Sequence, residues 1–215
     1  MNNKLTQKEW DEAEKEFLKN LDKNYFQDIY ADIQALRKNR PESIKSQICL
    51  AFTLVDSLSR IHKIFSGVKG EDFKDSEVRF RKWIDDFVLT EKNEEYKKYK
   101  RLIAPNSKVI WDIRNSFLHF YSFPPVKNNG EYVIFGHNLS LKMHDDTRKA
   151  FREKGYSTIT IIDSFHLMEA IFAGFLVQLL SLTEMIKSNP SQYIESVLSA
   201  KDILFTESAI AAPFK

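Results

Sequence analysis

Apolar residues recur at helical spacing through most of this 215-residue chain. Trp10, Phe17 and Leu21 follow Thr6-Gln7-Lys8-Glu9, a capping box whose threonine and glutamate side chains satisfy free backbone N–H groups. Caps and periodicity predict further helices over residues 25–38, 42–66, 76–103 (one helix or a broken pair), 109–121, 164–187 and from 190 onward. The predicted fold is therefore mainly α, a helical bundle.

The hydrophobic period changes after residue 131. Residues 132–135 and 139–143 flank Gly136-His137-Asn138, which is typical of a β-hairpin with a three-residue loop. Residues 158–162 are rich in β-branched side chains and predict a third strand. We expect one helical domain over residues 1–215, with a small β-containing insertion at about 127–162.

Composition narrows the class of protein. The chain has 32 Lys+Arg against 30 Asp+Glu, a net charge of +2, which argues against a globally basic nucleic-acid binder. Cys49, the single cysteine, lies in an apolar run that favours a small buried side chain over a reactive thiol. The charged N-terminus predicts no signal peptide, and the charge-free stretch 170–183 is shorter than a membrane-spanning helix. We expect a soluble, cytoplasmic protein.

One predicted helix carries a cation on its apolar side. At about 100° per residue, one broad apolar face holds Ile110, Ile113, Phe117, Leu118 and Tyr121. Arg114 falls in the middle of that face. A buried guanidinium stays charged, so it needs a carboxylate, carbonyls or an anionic ligand. One interpretation is a structural arginine paired with an acid such as Asp56, which interrupts the apolar stripe of the helix over 42–66.

His119 lies five residues after Arg114, about 140° around a regular helix. The two side chains cannot address one phosphate from one straight helical face. Either the helix unwinds before His119, or a second copy of the chain supplies part of the site. The spacing Arg-Asn-x-x-x-His has a chance expectation of about one in a hundred for this chain, taking residue frequencies as independent.

The stretch 113–121 resembles the signature of the HEPN superfamily (higher eukaryotes and prokaryotes nucleotide-binding), an arginine, a polar residue and a histidine in a late bundle helix. His119-Phe120-Tyr121 is similar to the His-x-Tyr extension of some HEPN toxins. The order of elements, a bundle before the motif and an apolar helix after it, extends the resemblance loosely to residues 25–187. Segment 127–162 is an elaboration on that pattern.

The resemblance implies a metal-independent endoribonuclease that needs no cofactor and works as a homodimer, plausible as a toxin or phage-defence effector. His119 would be the general acid/base, Arg114 would bind the scissile phosphate of RNA, and Asn115 would orient the pair. In toxin relatives the tyrosine at the position of Tyr121 is a target of nucleotidylation by an antitoxin, a minimal nucleotidyltransferase. Such an antitoxin is a candidate partner, and no membrane role is implied.

Two other functions stay open. The first is a non-catalytic HEPN module that binds a nucleotide or a partner protein through the same cleft. The second is an all-α scaffold in which Arg114 serves only as a buried ion pair.

Two further sets of side chains carry chemistry. Four cations precede the motif helix: Lys97, Lys98, Lys100 and Arg101. They could bind along an RNA backbone, or they could form a solvated helix face balanced by Glu91, Glu94 and Glu95. Metal-capable side chains lie across the predicted hairpin without the spacing of a known metal motif, so we expect no metal site: they are His137, His144, Asp145 and Asp146. His62 and His166 are expected to be half-buried polar residues.

Overall fold

A computed structural model describes residues 6–67, 70, 75–120, 126–128, 131–156 and 158–210. Within these ranges the chain is mainly helical, as the apolar periodicity predicts, with one small sheet. The helices are α1 (Gln7–Asn20), α2 (Asp28–Asn39), α3 (Ile44–Gly67), α4 (Ser76–Trp83), α5 (Glu94–Ile103), α6 (Ser107–Phe120), α7 (Leu141–Glu153), α8 (Ser164–Ser188) and α9 (Pro190–Ile210). The strands are β1 (Val126–Asn128), β2 (Glu131–Gly136) and β3 (Ile159–Asp163).

The helix starts follow the local capping signals of the sequence. The capping box is confirmed, because Thr6 Oγ1 accepts from the Glu9 N–H at 3.3 Å and the Glu9 carboxylate accepts from the Thr6 N–H at 2.7 Å. Asn106 caps α6 by accepting from the Val109 N–H at 3.1 Å, and Asp163 caps α8. These starts are set by neighbours three residues apart, so short-range sequence is enough to predict them.

Two π-helical segments interrupt the regular helices. Leu21–Gln27 continues α1 directly into α2, so the helix predicted from residue 25 has no separate start. Ile84–Val88 ends α4, and α5 begins after a short turn, which confirms the broken pair over residues 76–103. A π-helical turn has one more residue between its hydrogen-bonded groups than an α-helical turn, so it rotates the side-chain faces of the helix that follows it.

One core cluster of buried side chains extends from Trp10 in α1 to Ala200 in α9. The middle of α3 faces the core, with Phe52, Val55 and Leu58 at 0% exposure. Aromatic pairs join distant helices, as where the ring of Phe17 stacks on that of Phe65 with centroids 5.7 Å apart. Helices from both ends of the described chain therefore share a single apolar interior.

Buried side-chain amides form hydrogen bonds between α8 and the chain around the π-helical segment Ile84–Val88. Asn93 is fully buried, and its Nδ2 donates to the carbonyls of Phe87 at 2.9 Å and Ala170 at 2.8 Å. Gln178 accepts from the Trp83 indole N–H at 2.8 Å. Because buried polar groups are costly when unpaired, these bonds fix how α8 sits against the π-turn.

Strand β2 is the middle strand of the sheet. It pairs antiparallel with β1, where Val126 lies opposite Val133, and parallel with β3, where Tyr132 lies opposite Ile159. Parallel neighbours need a long crossover connection, and α7 lies in that connection. The predicted strands over 132–135 and 158–162 are confirmed as β2 and β3.

The predicted hairpin around residues 136–138 is wrong, because residues 141–143 begin α7. Ser140 Oγ accepts from the Met143 N–H at 3.1 Å and caps that helix. The Leu139 N–H donates to the Asp163 carboxylate at 2.7 Å, so it is not available to a strand partner. Asn138 has a φ of 54°, which turns the chain away from β2.

Among the described residues, α8 is long and apolar enough to cross a membrane, judged by its length and composition alone. These properties are weak evidence for a membrane-spanning helix, because half of the most apolar window of α8 is buried inside the fold. The central helix of a soluble protein has the same properties.

Candidate active site

Helix α6 places the motif arginine beside the core. Ile110, Ile113 and Phe117 are buried and anchor the helix against α3 and α4. Leu118, predicted on the same apolar face, is 39% exposed, so the buried stripe is narrower than the sequence indicates. Tyr121 lies outside the described residues.

Three neighbours hold the guanidinium of Arg114. Its Nη2 donates to Asp56 Oδ2 on α3 at 2.5 Å, and its Nη1 donates to Asn115 Oδ1 at 2.9 Å. The guanidinium carbon also lies 4.9 Å from the ring centroid of Trp111. The acid proposed from sequence as a structural partner is therefore the one that pairs with Arg114.

The Arg114 guanidinium has five N–H groups, and two of them serve Asn115 and Asp56. Its Nε is buried and has no hydrogen-bond partner among the described residues. The Arg114 side chain is 18% exposed. A ligand on this helix would therefore meet the remaining N–H groups of Nη1 and Nη2, with Asp56 offsetting part of the charge.

The helix stays regular through the motif, since α6 ends at Phe120. Of the two ways to bring Arg114 and His119 to one phosphate, unwinding of the helix before His119 is therefore wrong. The side chain of His119 lies outside the described part of the structure. A site that uses both residues needs the second way, in which another copy contributes.

The four cations upstream are exposed on α5, and most have acidic neighbours. Lys97 Nζ lies 3.5 Å from Glu94, Lys100 lies 4.0 Å from Glu91, and Arg101 pairs with Asp145 on α7. Lys98 lies over the ring of Tyr99, whose hydrogen bond raises the pKa of the lysine. The balance by Glu91 and Glu94 agrees with the solvated-face interpretation.

The metal-capable side chains are divided between elements. His144 Nδ1 bonds Asp145 at 3.1 Å on α7, whereas His137 Nδ1 bonds the Ser164 hydroxyl at 2.8 Å at the start of α8. Asp146 is exposed on α7. Within the described ranges, no three or more His, Cys, Asp or Glu side chains are grouped to hold a metal ion.

Protonation of His137 is expected to destabilise the fold. Burial lowers the pKa of its imidazole, the Arg37 charge acts in the same direction, and Asp163 opposes both. With a folded pKa below the unfolded value of about 6.5, the stabilising contribution is complete above that pH and is lost as pH falls through the folded pKa. Urea unfolding of the wild type should therefore give a lower free energy of unfolding at about pH 5.5 than at about pH 7.5.

The matched variant for this prediction is His137→Gln, which keeps a polar side chain and removes the titration. Its free energy of unfolding should change less over the same pH interval. An unchanged slope would contradict the assignment to His137.

Sequence reasoning missed a second cation at the helix interface. Arg37 on α2 is mostly buried, with Nη1 2.5 Å from Glu169 and the guanidinium carbon 4.7 Å from the Phe165 centroid. Its Nε and Nη2 have no partner among the described residues. In sequence, Arg37 looks like an ordinary basic residue in the last turn of a helix, so no local signal marks it.

The remaining candidates are half-buried. His62 is half-buried, as predicted, and bonds Asp86 at 2.9 Å; His166 is also half-buried and stacks on Tyr99. Cys49 is half-buried rather than buried, and burial raises the pKa of its thiol. A raised pKa keeps the thiol protonated near neutral pH, which agrees with a packing role.

Comparisons of this chain with protein-family models, with curated proteins and with solved structures give no match.

Proposed function

We propose that this chain is a HEPN-type endoribonuclease that needs no metal and cleaves RNA in a cleft shared by two copies. In this proposal His119 is the general acid/base, Arg114 binds the scissile phosphate, and Asn115 helps to orient the pair. The protein is cytoplasmic and acts as a toxin or phage-defence effector.

The observation that supports the proposal most is the arrangement of Arg114 and Asn115 on α6. Asn115 accepts from Arg114 Nη1 at 2.9 Å, and this contact supports the orienting role proposed for Asn115. Asp56 and Trp111 fix the other sides of the guanidinium. A held guanidinium loses little conformational freedom when it binds phosphate, so its charge is available to a transition state without reorganisation.

The chemistry needs only a proton carrier and a fixed cation. An imidazole titrates near neutral pH and can take a proton from the ribose 2′-OH or give one to the leaving oxygen. A guanidinium offers a planar fork to the phosphate oxygens, where negative charge develops. The straight course of α6 through Phe120 separates His119 from Arg114 by about 140°. Pairing them across two copies removes that conflict.

The proposal includes partners. RNA is the substrate and a second copy of the chain completes the cleft. Tyr121, two residues after His119, is the proposed target of an antitoxin such as a minimal nucleotidyltransferase.

A second candidate function is a non-catalytic module, or a scaffold, in which Arg114 is structural. The ion pair between Arg114 and Asp56 favours it. The two side chains are only 18% and 25% exposed, so each charge depends on the other for compensation. This candidate expects normal folding and no RNA cleavage by any preparation.

The experiment is RNA cleavage in EDTA by wild type and His119→Ala at equal, verified dimer content. We expect cleavage by wild type alone, leaving 2′,3′-cyclic phosphate ends, with a loss of at least about a hundredfold in the variant. His62→Ala is the matched control, since it removes a half-buried histidine that has no role in the proposed cleft.

Each other outcome is informative. Absence of cleavage by all three proteins on several RNAs would support the non-catalytic module. Equal cleavage by wild type and His119→Ala would assign the activity to a contaminant or to another site and would end the motif argument.

A further inference from the structure

A pocket between α5, α7 and β3 is lined by three positively charged side chains. Lys100 and Arg101 come from the last turn of α5 and Arg148 from α7, while Ala104 and Ile161 form apolar wall. No aspartate or glutamate lines it within the part of the chain that the structure describes. Such a lining attracts an anion.

His144 provides a second, independent sign of a ligand. It lines the pocket and its side chain is 2% exposed, so the imidazole is almost fully removed from water. Its Nδ1 bonds Asp145 at 3.1 Å, yet its Nε2 is buried and has no partner among the described residues. Buried polar atoms in native proteins nearly always have a partner, so Nε2 is a hydrogen-bonding group that the described part of the fold leaves unused.

The charges of the three cations are compensated to different extents by neighbouring acids. Lys100 lies 4.0 Å from Glu91, and Arg101 pairs with Asp145, so acids outside the pocket offset both. Arg148 donates to the Ile159 carbonyl at 3.3 Å, and no carboxylate of the described residues pairs with it. The uncompensated charge of the pocket is therefore that of Arg148.

We propose that this pocket binds a phosphate group. A phosphate monoester carries a charge of about −1.5 to −2 at neutral pH, and a backbone phosphate of RNA carries about −1. Both offer several acceptor oxygens to the charge of Arg148 and to the N–H groups of Lys100 and Arg101, more than a carboxylate offers. Because Nδ1 donates to the Asp145 carboxylate, Nε2 accepts in the neutral ring and donates in the imidazolium. A protonated phosphate oxygen or a ribose hydroxyl satisfies the first form, and an unprotonated phosphate oxygen the second.

The volume of the pocket limits the size of the ligand that it can enclose. The pocket volume is about 180 Å³, below the roughly 300–1,000 Å³ of sites that enclose a drug-sized molecule. It fits a phosphate group rather than a whole nucleotide. The phosphate is either free or one residue of an RNA strand whose remainder lies outside.

The pocket is distinct from the proposed cleavage site. It is lined by residues just before α6, whereas Arg114 lies two turns beyond Ser107, about 10 Å further along the helix. An RNA strand held here would be positioned by a phosphate other than the scissile one. The inference does not depend on cleavage, because binding is measured with a ligand that cannot be cut.

The test is titration of the protein, labelled with ¹⁵N at its histidines, with inorganic phosphate, adenosine monophosphate and a short 2′-O-methyl RNA. We expect saturable binding of at least one of them, with a shift of the His144 Nε2 resonance. Arg148→Gln should weaken that binding by about tenfold or more, since it removes a charge-assisted hydrogen bond. Lys149→Gln is the matched control, one residue along α7 with a side chain 78% exposed, and it should change affinity less than about twofold.

Binding of free phosphate supports a small-molecule source, and binding of the RNA alone supports a strand. The proposal is overturned if none of the three ligands binds saturably, if acetate binds as tightly, or if Arg148→Gln and Lys149→Gln weaken binding equally. If Arg148→Gln fails to fold, Lys100→Gln replaces it, and Lys149→Gln stays as the control.

Discussion

Replacing Arg114 with alanine is expected to lower the free energy of unfolding by about 2–3 kcal/mol, between the values for exposed and fully buried ion pairs. Arg114 and Asp56 are 18% and 25% exposed, so water only partly solvates the carboxylate that the substitution leaves unpaired. The contact with the Trp111 ring is lost as well. Urea unfolding measures the change, and the Tm should fall by roughly 5–10 °C.

A double-mutant cycle with Asp56→Ala isolates the pair. Each single variant strands one charge, so the double variant should be destabilised by about 1–2 kcal/mol less than the sum of the two. A coupling energy near zero would contradict a stabilising role for the pair.

Arg114→Lys separates the structural role from the catalytic one. It keeps the positive charge near Asp56 but lacks the planar fork for phosphate. If the chain is a ribonuclease, this variant should retain much of the stability and lose most of the cleavage. If Arg114 is only structural, any activity should follow the amount of folded protein.

Replacing Gly174 with alanine is expected to cost about 3 kcal/mol, at the upper end of overpacking effects. A Cβ at this position would lie 2.9 Å from the Phe87 carbonyl oxygen and 3.1 Å from Val88 Cγ2. The carbonyl belongs to the π-turn that Asn93 holds against α8, so the backbone cannot move away without loss of those hydrogen bonds. Urea unfolding should show the loss without a change in the slope with denaturant.

Gly67→Ala is the matched control, because nothing lies within 4 Å of the Cβ that it would add in α3. Its free energy of unfolding should stay within about 1 kcal/mol of wild type, on the stabilising side. Equal destabilisation by both substitutions would contradict the close approach of α8 to Phe87 as the source of the cost.

The errors in the sequence prediction occur where long-range contacts compete with local pattern. Residues 139–143 have the alternation of a strand, but Ser140 caps a helix and Asp163, far along the chain, takes the Leu139 N–H. Leu118 belongs to the apolar face by angle, yet it is 39% exposed. The local cap at Ser140 and the long-range bond to Asp163 together decide the first case, and tertiary burial decides the second. Intrinsic β preference and helical angle are weak compared with a cap or with burial.

The phosphate pocket could not be predicted for a related reason. Lys100 lies on α5, whereas His144 and Arg148 lie one turn apart on α7, and no sequence spacing links the two helices. The pairing of Arg114 with Asp56 was accessible, since a cation on an apolar face needs a buried acid and an acid interrupts the apolar stripe of α3.

Local sequence is sufficient for the helical class of this protein, for the capped starts of α1, α6 and α8, and for the helix that carries Arg114. Those features depend on side chains three or four residues apart, which interact before any tertiary contact forms. The parallel pairing of β2 with β3, the close approach of α8 at Gly174 and the cationic pocket were decided only by the tertiary structure. Each of them joins residues distant in sequence, whose contact depends on how the helices pack around the shared core.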